Sequence, residues 1–253
     1  MSRLKQSFAV TRIGADGTRD TRAGQVEVEE PLEIRARGEE VAQLFRTPGH
    51  DIELAHGVLL AHGLIKSAAD VATARYCEGA IGGKNTYNLL DIDLARPAAP
   101  PQFIDPIPAQ SCGISAEQRV RELAASLPVR PEFMPLDPEA VFAVPSQLST
   151  HRKRALPTAA AGGVVRQDIG AVNAVHKVAG HMLLDASVPA TDTILAVDSR
   201  VTFEMMRAAA AAGFGAVVTT ADVTAMAVDL ARETNTVLVG EASAERFSVY
   251  SGD

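Results

Sequence analysis

The chain has 253 residues, of which 47% are hydrophobic, enough to build one large domain or two closely packed lobes. Aromatic residues make up only 4% and Trp is absent, so aliphatic side chains must fill the core. A formal net charge of −7 argues against a nucleic-acid partner, and no apolar run reaches membrane-spanning length.

The first segment, residues 6–35, patterns as a β-hairpin or meander around the turn signal Gly14-Ala15-Asp16-Gly17. Thr47 then fits an N-cap with Pro48 at the first helical position, predicting a helix over 48–65 that buries Ile52, Ala55, Leu59 and Leu64-Ile65. His50, His56 and His62 fall six residues apart, a step of about 240° around a helix, so they point three ways and cannot converge on one metal; they read as surface or edge residues, any one of which is free to join a site made elsewhere. Strands are expected at Val71–Cys77 and Thr86–Leu94, with Cys77 a packed thiol at a strand end. The stretch Arg96-Pro97-Ala98-Ala99-Pro100-Pro101 reads as a stiff linker. It separates an N-terminal α+β lobe, residues 1–100, from an α/β domain, residues 101–253.

Beyond the linker lies Gln110-Ser111-Cys112-Gly113-Ile114-Ser115-Ala116-Glu117-Gln118. Ser115 and Gln118 have capping-box spacing, and Val120, Leu123, Ala124 and Leu127 recur at helical spacing. Cys112 therefore precedes a helix start, where free amides and the positive dipole end favour thiolate over thiol. Two readings stay open on these residues alone: a nucleophilic or sulfur-carrying cysteine, and an inert packed thiol beside a Gly turn. With only Cys77 and Cys112 in the chain, neither a disulfide framework nor a zinc quartet is available. The start MSRLKQSFAV lacks a signal-peptide core, and the expected setting is the cytoplasm.

A short helix is expected around Asp137–Leu148, and His151-Arg152-Lys153-Arg154 reads first as a solvated basic loop and second as a site for an anionic ligand or partner. From Val164 the pattern alternates: a helix near Asn173–Asp185, an apolar strand Thr193–Val197, then a helix carrying Phe203, Met206 and Ala210. A strand at Ala216–Thr219 follows, then a helix capped by Asp222, and strands at Thr236–Val239 and Arg246–Tyr250. This rhythm predicts a mainly parallel, helix-flanked sheet whose ligands lie beyond the carboxyl ends of its strands, at Asp198-Ser199-Arg200, Thr219-Thr220 and the loop after Gly240.

Several runs taken together resemble the formate dehydrogenase accessory proteins of the FdhD type, a sulfur-carrier family. They are the run from Arg46 to Ala55, Ser111-Cys112-Gly113, the runs Gln167 to Lys177 and Ser199 to Met205, and Thr236 to Gly240 with Arg246 to Tyr250. The resemblance implies a cytidine-deaminase-like three-layer α/β core and a homodimer. It also implies sulfur transfer from a cysteine desulfurase, as a persulfide on Cys112, to the bis-molybdopterin guanine dinucleotide cofactor of formate dehydrogenase or a related molybdoenzyme. That cofactor is a bound substrate, with GDP as a mimic, and no protein-bound metal is implied. By position, Glu241, Ala242, Ser243, Ala244, Glu245 and Arg246 form the cofactor-contacting loop, with Arg200 as a further phosphate partner. A zinc deaminase, suggested by the implied fold, is a poor alternative because the chain has no Cys-x-x-Cys.

The chain departs from the family pattern at several functional positions. Ser115 stands where the second cysteine of Cys-Gly-x-Cys-Gly is usual, and Ala171-Val172 stand where Arg-His is usual. The segment Thr158–Val164 is short and lacks a histidine, and the last loop carries two acids, Glu241 and Glu245. These changes leave room for an alternative: a paralogue that binds a guanine nucleotide cofactor or a partner without transferring sulfur.

Overall fold

The computed structural model describes residues 4–77, 80–81, 84–85, 87–95, 115–150 and 156–252. Two strands, β1 (Lys5–Ile13) and β2 (Arg19–Glu27), form an antiparallel hairpin closed by the expected Gly14–Thr18 turn. Next come β3 (Glu30–Ala36), β4 (Glu39–Arg46) and helix α1 (Asp51–Ala61), followed by β5 (Val71–Tyr76). The two-residue strands β6 (Ala80–Ile81) and β7 (Lys84–Asn85) lead to β8 (Leu89–Leu94). Strands β3, β4, β5 and β8 make a four-stranded sheet in the order β4-β3-β8-β5. Alternation along β3 buries Leu32, Ile34 and Ala36, which join Leu90 and Ile92 of β8 in the core that also holds α1.

The second half begins with α2 (Ala116–Ala124) and α3 (Pro138–Thr150), then a hairpin of β9 (Thr158–Ala161) and β10 (Val164–Gln167). Helices α4 (Ala171–Leu184), α5 (Phe203–Ala211) and α6 (Ala225–Glu233) alternate with β11 (Ile194–Val197), β12 (Ala216–Thr219) and β13 (Val237–Gly240); β14 (Ser248–Ser251) closes the chain. The six strands run β10-β9-β11-β12-β13-β14. Strands β10, β11, β12 and β13 run one way and β9 and β14 the other, and only the β11–β12 and β12–β13 pairings are parallel, so the sheet is mixed rather than mainly parallel. Two-residue and short exposed links, such as Gly162-Gly163, allow hairpin returns where a helical crossover would force parallel pairing.

Strand alternation separates two apolar faces. Leu195, Val197, Val217 and Leu238 face the core shared with α4, α5 and α6, while Ala196, Ala216, Val218, Val237 and Val239 face Val141, Val144 and Leu148 of α3. The result is a three-layer α/β arrangement, with α1 and the smaller sheet stacked beyond α4 and α5. The domain boundary expected near residue 100 lies outside the described residues.

Helix α1 differs from its expected form. It starts at Asp51 with His50 as N-cap, and every residue from Leu54 to Ala61 is buried, because neighbours cover it on nearly all sides. Ile52 is exposed, whereas His56 is buried, its Nδ1 bonded to the Ile52 carbonyl at 2.7 Å, so that histidine is neither surface nor edge. Asp222 does not cap α6 either; Thr224 occupies that position.

The crossing of α1 and α4 depends on two glycines. A Cβ on Gly57 would lie 2.0 Å from the His176 carbonyl oxygen, and one on Gly180 would lie 1.8 Å from that of Glu53. Backbone cannot yield at such distances, so Gly180→Ala should cost on the order of 3 kcal/mol in stability through forced separation of the helices. Gly63→Ala, with open space around its Cβ but a φ of +71°, should cost less. Urea unfolding of both variants checks the order.

Candidate functional site

Strand β4 ends at Arg46, and the chain turns through Thr47-Pro48-Gly49-His50 into α1, with Gly49 (φ 107) and His50 (φ 58) in left-handed backbone. Arg46 is 1% exposed and grips Asp51 through Nε and Nη2 at 3.1 and 2.9 Å, while Nη1 donates to Glu30 at 3.1 Å. Asp51 also accepts from the Tyr76 hydroxyl at 2.9 Å and the Gly49 amide at 3.2 Å. Burial and the Asp51 charge raise the Tyr76 phenol, which keeps it a donor.

Thr47 is not the helix cap that its spacing suggests, because all its polar groups face α4. Its amide donates to Asp168 Oδ2 at 3.2 Å, its hydroxyl accepts from the Ile169 amide at 3.0 Å, and its carbonyl accepts from Lys177 Nζ at 2.9 Å. Lys177 and Asp168 are fully buried and paired at 2.7 Å. Asp168 further accepts from the Gly170 amide at 2.9 Å and Asn173 Nδ2 at 3.0 Å, so its charge is satisfied from several sides.

A second ionic group lies alongside. Arg166 clasps Glu53 with Nε and Nη2 at 2.5 and 2.6 Å, and Glu53 also meets His181 Nδ1 at 3.0 Å and His50 Nδ1 at 3.2 Å. Burial alone would push the Glu53 carboxyl up, but the hydrogen bonds from Arg166 and His181 outweigh it and hold the group at about 2. Burial, then the Arg166 charge, keeps His50 below the ordinary imidazole range.

Of these groups Arg46, His50, Asp51, Arg166 and Lys177 line a cavity of about 670 Å³ between the 46–51 loop, β10 and Lys177. Tyr76 and Tyr87 close one side in an edge-to-face pair, ring centres 5.4 Å apart. None of its ionic residues was singled out from the sequence as a site residue. The available signal was Lys177 inside the apolar stripe of Val175, Val178 and Ala179, since a charge so placed requires a buried counterion.

The residues expected to contact a cofactor gather elsewhere, at the carboxyl ends of β11, β12 and β13. Arg200 is exposed and engages Asp222 with Nε and Nη2 at 3.0 and 2.8 Å. The loop after β13 is tied down by the amides of Glu241 and Ala242, which donate to Ala221 and Thr219 carbonyls at 2.8 and 3.0 Å. Glu241 turns its carboxylate back onto the Ser248 and Tyr250 hydroxyls, and Ser243 Oγ accepts from the Arg246 amide at 3.1 Å. Ala242 is buried, while Ala244, Glu245 and Arg246 are exposed. Among the described residues, no ion pair engages the Arg246 guanidinium.

Cys112 lies outside the described residues, as do the basic run 151–154 and the proline stretch 96–101. The helix after Cys112 is present as expected: Ser115 Oγ accepts from the Gln118 amide at 3.2 Å, and Val120 and Ala124 are buried. The Gln118 side chain does not complete the expected capping box; it donates along the helix to Glu122 at 3.2 Å. The chain leaving α2 is fixed to the α6–β13 turn, with Asn235 Nδ2 donating to the Arg130 carbonyl at 2.7 Å.

The fold and these two polar ends define an α/β protein built on a mixed sheet, with a second sheet docked through α1. Residues 27–253 match the model of the FdhD/NarQ family, and the chain belongs to that family. It is 38% identical to a protein of Corynebacterium efficiens named sulfur carrier protein FdhD, over all of this chain and 99% of that one. A protein of the same name from Mycobacterium tuberculosis is 34% identical over 91% of each chain. The crystal structure of a protein from Desulfotalea psychrophila, described as a formate dehydrogenase accessory protein, shares the fold with a TM-score of 0.74. It covers 98% of this chain and 97% of its own at 18% identity. No helix among the described residues is long and apolar enough to cross a membrane.

The depressed Glu53 carboxyl links stability to pH. A carboxyl held below its unfolded value stabilises the fold above the ordinary carboxylate range, and this contribution fades as pH falls toward about 2. Glu53→Gln should therefore lose stability at pH 7 and show a smaller deficit near pH 3, part-way through that window. Denaturant midpoints at the two pH values check this; an equal deficit at both contradicts it.

Proposed function

We propose that this chain is a sulfur carrier in the maturation of formate dehydrogenase or a related molybdoenzyme. The observation that carries the reading is the match along almost the whole chain to relatives named sulfur carrier protein. Within it, Cys112 is the carrier. Its thiolate attacks the terminal sulfur of a cysteine desulfurase persulfide, the S–S bond of the donor breaks, and the donor leaves as thiolate while Cys112 holds the persulfide. The capped amino end of α2, three residues after Cys112, supports the step by favouring the anionic sulfur. The outer sulfur then passes to bis-molybdopterin guanine dinucleotide: the S–S bond breaks, its electron pair stays on Cys112 as thiolate, and the sulfur takes an electron pair from the reduced cofactor, which is oxidised by two electrons.

The cofactor is substrate here, and the 241–246 loop suits one end of it. Arg246 is exposed and free of a described acid, and the Glu241 carboxylate is drawn away by two hydroxyls. Arg200 is held by Asp222 and serves a phosphate only by exchanging that exposed partner. The same reading makes the protein a cytoplasmic homodimer with a cytidine-deaminase-like core, which the three-layer arrangement supports.

A second reading rests on Ser115. The hydroxyl that caps α2 occupies the usual place of the second cysteine, so the fold is kept while one sulfur position is lost. A cofactor-binding relative without sulfur transfer follows if Cys112 alone cannot act. Incubation with a cysteine desulfurase and cysteine, followed by intact mass spectrometry, separates the two. The carrier gains one sulfur atom on Cys112, and Cys112→Ser gains none; an unmodified wild type leaves the binding protein.

A further inference from the structure

The β1–β2 hairpin stands apart from the core of the molecule. In its two nine-residue strands only Val10, Gly24 and Glu27 are partly covered, and Phe8 and Val26 are 49% and 47% exposed. Two strands alone are marginally stable in water, so such a hairpin gains from a surface to lie on. Phe8 pairs with Gly24, Val10 with Arg22 and Gln6 with Val26, a register that puts Phe8, Val10, Arg12 and Val26 on one face. Apolar side chains thus run toward the tip and end at Arg12. Asp20, directly across from Arg12, is taken by Arg22 at 2.6 Å, and among the described residues no ion pair engages Arg12. The family model begins at residue 27, so this arm lies almost wholly outside it.

A concavity of opposite charge lies at the carboxyl end of α4. Its volume is about 430 Å³, and Val164, Met182, Asp185, Pro189 and Asp192 are among the residues that line it. Asp185 and Asp192 are exposed, and among the described residues neither is in an ion pair. Arm and concavity both adjoin β10, an edge strand of the six-stranded sheet. Leu4, at the base of the arm, shares a cavity wall with Val165, and the concavity starts at Val164. Net charge favours the same match. Residues 4–27 hold four basic and three acidic side chains, a net +1 that leaves −8 on the remainder of a chain whose total is −7.

We infer that the β1–β2 hairpin is an arm that lies on a second copy of this chain and seats Arg12 beside Asp185 and Asp192 of the partner subunit. The inference rests on the homodimer of the proposed function and supplies a contact that would hold it. Two copies meeting along their β10 edges exchange arms reciprocally, since a twofold pair makes every contact twice. Nine residues at about 3.4 Å each give an arm about 30 Å long, and two strands about 10 Å wide give it a face of about 300 Å². Giving one arm and receiving another covers about 600 Å² on each copy, most of the roughly 800 Å² per partner that a stable pair requires. Phe8 and Val26 leave water in the process, which offsets the exposure of the lone hairpin.

Sedimentation equilibrium on the full chain tests the arm. Wild type should be a dimer, and Phe8→Asp should raise its dissociation constant about tenfold or more while circular dichroism stays native. Arg12→Asp and Asp192→Arg should each weaken the dimer similarly. The double variant, which restores opposite charges in exchanged places, should return it to about the wild-type affinity. A monomeric wild type overturns the proposal together with the homodimer and leaves the arm to a different partner. A dimer unchanged by Phe8→Asp, or single charge variants that the double variant does not rescue, overturns the arm while the homodimer stands. Gain of sulfur by Cys112 is read separately, so failure of the carrier reading would leave the arm untouched.

Discussion

The Asp168–Lys177 pair, with neither side chain open to water, is the interaction on which the two halves of the molecule depend. Both charges give up hydration, and only the convergence of Thr47, Gly170, Asn173 and Lys177 on one carboxylate makes that tolerable. Loss of one partner from such a pair costs about 3–5 kcal/mol because the other is left buried and uncompensated. Since Thr47 follows β4 and Lys177 belongs to α4, the pair joins the smaller sheet to the larger one. Asn173 repeats the connection through the Phe45 carbonyl at 2.8 Å. The close approach of α1 and α4 at Gly57 and Gly180 completes a rigid junction, and the cavity wall inherits that rigidity.

Much of the second half was legible in the sequence because its periodicities are clean. The strand at Ala216–Thr219, the helix with Val175, Ala179 and Met182, and the Ser115 cap all occur where spacing placed them. The covered character of Ile194–Val197 was legible too, from an apolar run with no polar alternation. Strand direction was not, since nothing local in Val164–Gln167 or Ser248–Ser251 records a hairpin return rather than a crossover. The Thr47 and Asp222 assignments failed for a common reason. Each residue has the chemistry of a cap, and each found a distant partner that satisfies it better: Asp168 with Lys177 for Thr47, and Arg200 for Asp222.

The ionic junction was harder to read still. Its members are separated by more than a hundred positions, as in the Thr47 to Asp168 and Glu53 to Arg166 contacts, and only folding brings them together. The resemblance marked both runs without saying what they do. In the structure they build one polar end of the molecule, and the Arg200 and 241–246 segments build another. The functional reading therefore places chemistry at a cysteine ahead of α2 and recognition at sites formed by distant parts of the chain.

Sulfur transfer as proposed requires Cys112 to be an ionised, reachable thiol. The rate of its alkylation by iodoacetamide as a function of pH, resolved from Cys77 by peptide mapping, measures this directly. The account predicts a titration midpoint below the free-cysteine value of about 8.5. A midpoint at or above that value, or a Cys112 that reacts only after unfolding, would contradict it.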